Sequence, residues 1–141
     1  MSDAIVSRLG AGSAVGLGAG EFALPPLPTA AGPATEPMIG HMVYFTLADN
    51  SPAKARELVT ACEKYLTKHA GETFFAAGLR AKAFTRDVNV QDWDVALHIV
   101  FKTKADHDRY QDAARHKQFI EENKANWKQV RVFDSEVEAT R

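Results

Sequence analysis

Apolar positions alternate with period two over residues 40–47 (GHMVYFTL), placing His41, Val43 and Phe45 on one side and Met42, Tyr44 and Thr46 on the other. That pattern predicts a strand. Ser51 as N-cap and Pro52 at the first helical position then open a helix to about His69. Its inner face is Ala55, Leu58, Cys62, Tyr65 and Leu66, at three- and four-residue spacing. After Gly71, residues 73–83 (TFFAAGLRAKA) predict a second strand in which Gly78 marks a bulge or a close approach. TRDVNVQD is a polar loop, and residues 93–102 (WDVALHIVFK) form the clearest strand of the chain. Thr103, with Asp106 three residues on, resembles a capping box for the next helix. That helix breaks near Ala113 to Arg115, resumes from His116 to about Lys124, and leads into a last strand at residues 127–134 (WKQVRVFD).

The order β-α-β-β-α-β is the split βαβ, or ferredoxin-like, topology of an α+β fold. Both faces of its strands are apolar: Val95, Leu97, Ile99 and Phe101 oppose Ala96, His98 and Val100 in the third strand. Helices on one face leave the other needing a second layer. The expected solution is a two-fold homodimer whose sheets pack into a dimeric α+β barrel; a monomer with its N-terminal segment folded over that face is the alternative.

The 141 residues, 45% of them hydrophobic, suit one domain with a core. Residues 1–37 are set apart as a Gly/Ala/Pro-rich extension, with six of the nine glycines, five of the six prolines and no lysine; residues 38–141 form the domain. Arg8 and its glycines make the extension a poor signal peptide. Within it Ile5, Val6 and Leu9 have helical spacing ahead of a Gly-rich and then a Pro-rich linker, the layout of a docking peptide for a shell or scaffold partner. An unstructured extension fits the same composition, and Met38 could serve as a second start. A net charge of −1 without a basic stripe argues against nucleic acid. No run of eighteen apolar residues suggests a membrane span. The single cysteine, Cys62, reads as a buried small residue and fits a reducing cytoplasm.

His41, Tyr110 and His116 fall on apolar faces of their elements, where a titratable group is costly unless something satisfies or uses it. His116 shares a helical face with Phe119 and Ile120, a face that would line a pocket for an apolar ligand as readily as a core. His98 is expected at the dimer interface, and His69 and His107 on solvent-facing helix turns. Trp93 and Trp127 flank strand starts and read as core. No two histidines have His-x3-His spacing and no carboxylate joins them in sequence, so neither metal nor cofactor is predicted.

The opening His41-Met42-Val43-Tyr44-Phe45, the strand DVALHIVF followed by Lys102 and Thr103, the Tyr110-x5-His116 spacing and the closing VRVFD together resemble the stress-responsive A/B barrel (Dabb) family over about residues 38–137. The resemblance implies a dimeric α+β barrel with a pocket between each sheet and its own helices, lined here by His41, Val43, Phe45, Phe119 and Ile120. Members range from stress-associated proteins to a polyketide cyclase. Carried over from that cyclase, His116 matches the catalytic histidine, Tyr110 the assisting tyrosine, and His41 the histidine that begins the first strand. An aldol closure needs a base of near-neutral pKa and a phenol to hold the developing oxyanion. The chain departs from the family at Ala113-Ala114, where His-Pro is usual. Three functions follow as expectations: a small-molecule-binding homodimer, a cofactor-free polyketide-cyclase-like lyase, and an assembly or cargo component addressed by its N-terminal extension.

Overall fold

Two strands whose hydrogen bonds are satisfied on both edges carry the domain: β1 (Met38–Leu47) and β3 (Val95–Phe101). They are flanked by β2 (Glu72–Leu79) and β4 (Trp127–Val137) in the order β2-β3-β1-β4, with every neighbouring pair antiparallel. The structure is a computed structural model and describes residues 36–138. The helical spacing at Ile5, Val6 and Leu9, and the docking role read from it, lie outside the described residues. Three helices complete the fold: α1 (Pro52–Leu66), α2 (Lys104–Asp112) and α3 (Ala114–Asn123), the last followed by a 3-10 turn at Lys124–Asn126. The topology is ferredoxin-like with its second crossover helix split in two. No helix among the described residues is long and apolar enough to cross a membrane.

Local chemistry accounts for most element ends. The Ser51 hydroxyl accepts from the Lys54 N–H at 3.4 Å with Pro52 behind it, and the Thr103 hydroxyl accepts from the Asp106 N–H at 3.1 Å. The second crossover helix breaks at Ala113, whose backbone is extended (φ −66°, ψ 142°). Gly71 has φ +88°, and a Cβ there would collide with the Asp106 side chain, so the turn into β2 needs glycine twice over.

Four sequence expectations are corrected. α1 stops at Leu66 rather than His69, because Thr67 turns extended and Lys68 takes φ +65°. β2 ends at Leu79 rather than residue 83, as the chain turns away with the Phe84 N–H donating to the Ala81 carbonyl. Gly78 makes no bulge; it pairs in register with Ala96, and the irregularity falls between Glu72 and Phe74. β4 continues past Asp134 to Val137, because Gly40, Ile39 and Met38 of β1 extend far enough to pair with it.

The inner face of the sheet packs Val43, Phe45, Leu97, Ile99 and Phe101 against Leu58, Val59, Cys62 and Leu66 of α1 and Phe119 of α3. Truncating the fully buried Phe101 to alanine is worth roughly 3–5 kcal/mol of stability. The outer face presents Met42, Tyr44, His98 and Val100, flanked by Phe74 and Phe133, which remain 54% and 55% exposed. Apolar side chains so open on edge strands are unusual for a finished surface.

Candidate functional site

Between the sheet's inner face and α2 and α3 lies a cleft of about 360 Å³. His41, Val43 and Phe45 reach it from alternate positions of β1, Tyr110 from α2, and His116, Phe119 and Ile120 from α3. All seven residues named from sequence therefore meet at one place. The mouth lies beside edge strand β4, where Val130 and Val132 belong to the lining and are 38% and 49% exposed. Trp127, also in the lining, packs against Phe45 and Phe119 at ring-centroid distances of 5.0 and 5.6 Å.

The polar groups are held in an aromatic cluster. Tyr110, buried, has its ring centroid 4.7 Å from His116, 5.0 Å from His69, 4.9 Å from Phe101 and 5.8 Å from His41. Neither the Tyr110 hydroxyl nor His116 Nδ1 has a hydrogen-bond partner among the described residues. Buried polar atoms are normally paired, and here two stand unpaired at one cleft. Burial lowers the pKa of His116, and the charges of His41, His69 and His107 lower it further against a backbone hydrogen bond at Gln111 that raises it. Burial raises that of Tyr110. At neutral pH His116 is an uncharged base and Tyr110 an un-ionised phenol, the states that accept and donate a proton.

His41 is anchored from the next strand. Register places Asp134 of β4 opposite it, and the His41 Nδ1–H donates to Asp134 Oδ1 at 2.6 Å. Burial still lowers the His41 pKa, outweighing the carboxylate that raises it. Two histidines expected at solvent-facing turns are elsewhere. His107 lies one helical turn before Tyr110 on α2 and meets the His41 ring edge-on at 5.0 Å, inside the cleft. His69 lies beyond the end of α1, donates Nε2–H to the Tyr65 carbonyl at 2.8 Å and turns its ring edge toward Tyr110. Asp134 and His107 were both missed from sequence, though each had a signal. Asp134 continues the alternation of Val130 and Val132, and His107 is three residues from Tyr110. One donor atom each from His41, His107 and Asp134 lies within 4.8 Å of the others, so the fold removes the ground of local spacing on which no metal was expected.

A second hollow, of about 420 Å³, opens on the outer face under the β2–β3 loop, with Tyr44, Trp93 and His98 in its floor and Phe84 and Val90 on its rim. His98, half-buried there, has Nε2 at 3.4 Å from the Tyr44 hydroxyl.

The chain is similar to several solved structures. One is a dimeric ferredoxin-like protein of unknown function from Thermobifida fusca, with 16% identity over 72% of this chain and 92% of that one and a TM-score of 0.61. A second is a Dabb family protein with a ferredoxin-like fold from Mesorhizobium loti, with 24% identity over 71% and 96% and a TM-score of 0.59. A third is a hydroxynitrile lyase from Passiflora edulis, with 12% identity over 75% and 98% and a TM-score of 0.59. At such identities the likeness concerns the fold. No curated protein sequence matches the chain significantly. A sequence description of the stress responsive A/B barrel domain matches residues 39–137, which include all of the four strands but Met38 and all the cleft residues above. The chain therefore belongs to the stress responsive A/B barrel (Dabb) domain family.

Proposed function

We propose that this chain is a homodimeric Dabb protein whose inner cleft binds a small, largely apolar molecule carrying a hydrogen-bonding oxygen. The observation that carries the reading is the pairing of apolar walls, Phe45, Phe119, Ile120 and Val132, with the unpartnered Tyr110 hydroxyl and His116 Nδ1. A few polar atoms in an apolar recess fix a ligand's orientation, while the walls supply its affinity. Self-association is supported by the uncovered outer face of the sheet and by the dimeric ferredoxin-like relative. Titrating the protein with a short-chain alkylphenol and following His and Tyr ring signals by NMR tests the binding. Saturable shifts at His116 and Tyr110, abolished by Val132→Trp at the mouth, are expected; ring signals that stay put in the folded protein overturn it.

A second reading, a cofactor-free lyase related to the family's polyketide cyclase, is favoured by the proximity of Tyr110 to His116. His116 would remove a carbon-bound proton and Tyr110 would hydrogen-bond the oxyanion that forms. Turnover of a linear β-polyketide thioester, lost in His116→Ala and in Tyr110→Phe, tests it; the absence of turnover returns the chain to the binding reading. The assembly or cargo alternative has its address in residues outside those described.

A further inference from the structure

His41, His107 and Asp134 come from three different elements, β1, α2 and β4, and converge at the β4 side of the cleft. Their hydrogen bonding leaves one atom unexplained. His107 Nδ1–H donates to Asp108 Oδ1 at 3.1 Å, and Asp108 is held in turn by Lys104 at 2.6 Å. With the proton on Nδ1, the lone pair of His107 is on Nε2. That nitrogen is buried, has no hydrogen-bond partner among the described residues, and stands 3.9 Å from Asp134 Oδ1, beyond hydrogen-bond reach. On the other side of the same oxygen is His41 Nδ1, at 2.6 Å.

We propose that His41, His107 and Asp134 form a binding site for a divalent transition-metal ion of the zinc class. A tetrahedral ion with bonds of about 2.0–2.2 Å holds its ligand atoms about 3.3 Å apart. The separations of 2.6 and 3.9 Å, all within 4.8 Å, straddle that value. A shift of the Asp134 carboxylate by less than about 1 Å, away from His41 and toward His107, brings both of these separations close to that value. Asp134 has room for such a shift, since its side chain is 46% exposed. Two imidazoles with one carboxylate suit Zn(II), Co(II) or Ni(II) and not the all-oxygen preference of Mg(II) or Ca(II). Asp108 supplies the outer hydrogen bond that orients a ligating imidazole and fixes its tautomer. The ion would replace the proton that His41 and Asp134 now share, and three protein ligands leave a fourth position for water or a ligand oxygen. The inference does not depend on the small-molecule reading, because the donor atoms suffice for it.

The test is titration of the chelator-treated full-length chain with Co(II), read by its visible absorption, with Zn(II) as competitor. One Co(II) per chain is expected, displaced by Zn(II), with affinity at least tenfold weaker in His107→Ala and in Asp134→Asn and unchanged in His98→Gln on the outer face. NMR of the Zn(II)-treated chain should shift the His41 and His107 rings and leave His98 in place. The proposal is overturned by the lack of a saturable signal, by variants that bind as the unaltered chain does, or by loss that follows His98→Gln. Asp134→Asn is nearly isosteric and lies at the rim, so its result stands even if His107→Ala folds poorly.

Discussion

Tyr110 and His116 face each other across the helix break at Ala113, with ring centroids 4.7 Å apart, yet they exchange no hydrogen bond. The hydroxyl is buried without a partner, so it costs stability instead of adding to it. Tyr110→Phe is therefore expected to leave the fold unchanged or to stabilise it by about 1 kcal/mol in urea unfolding. The same substitution should weaken alkylphenol binding. A loss of stability with binding intact would show that the hydroxyl serves packing alone.

The folded pKa values of His41 and His116 both lie below the ordinary value, first because burial disfavours the charged ring. The unfolded chain then takes up protons near pH 6.5 before the folded one does. The contribution of these groups to stability should be constant above about pH 7 and should decline as pH falls through about 6.5 toward the folded values. Urea unfolding at a series of pH values checks this, and His116→Gln should flatten the decline. Asp134→Asn removes the carboxylate that raises the His41 pKa, so an NMR titration should find the His41 midpoint lower still.

Cys62 is fully buried on the inner face of α1, and burial pushes its thiol up to about 12. Thiolate is the reactive form. Alkylation at pH 8, followed by mass spectrometry, should be negligible in the folded chain and complete once urea unfolds it. Rapid modification of the native chain would mean that α1 opens readily.

On the outer face Met42 of β1 lies opposite Phe133 of β4, and Phe133 is more than half exposed. If a second copy covers this face, Phe133→Glu buries a charge in the contact and should dissociate the dimer by sedimentation at micromolar concentration, with the circular dichroism spectrum unchanged. A native chain that sediments as a monomer removes the dimer altogether.

Much of the fold was legible along the chain. The alternation at residues 40–47, the caps at Ser51 and Thr103 and the break near Ala113 each depend on interactions within a few residues, so local pattern locates them. The element ends were less legible: β4 outruns its apolar pattern because β1 is there to pair with it, and α1 stops short where Thr67 turns extended and Lys68 takes a positive φ. The site shows the same division. His41, Tyr110 and His116 stood out by themselves as polar residues on apolar faces. Their surroundings did not, since Asp134 reaches His41 across 93 residues through strand register and His107 joins them only when α2 packs over β1. The sequence alone thus determined the elements, their order and which polar residues fall on apolar faces. Tertiary structure decided which carboxylate and which further histidine stand beside them, because contacts between distant elements depend on register and helix placement, which no local spacing encodes.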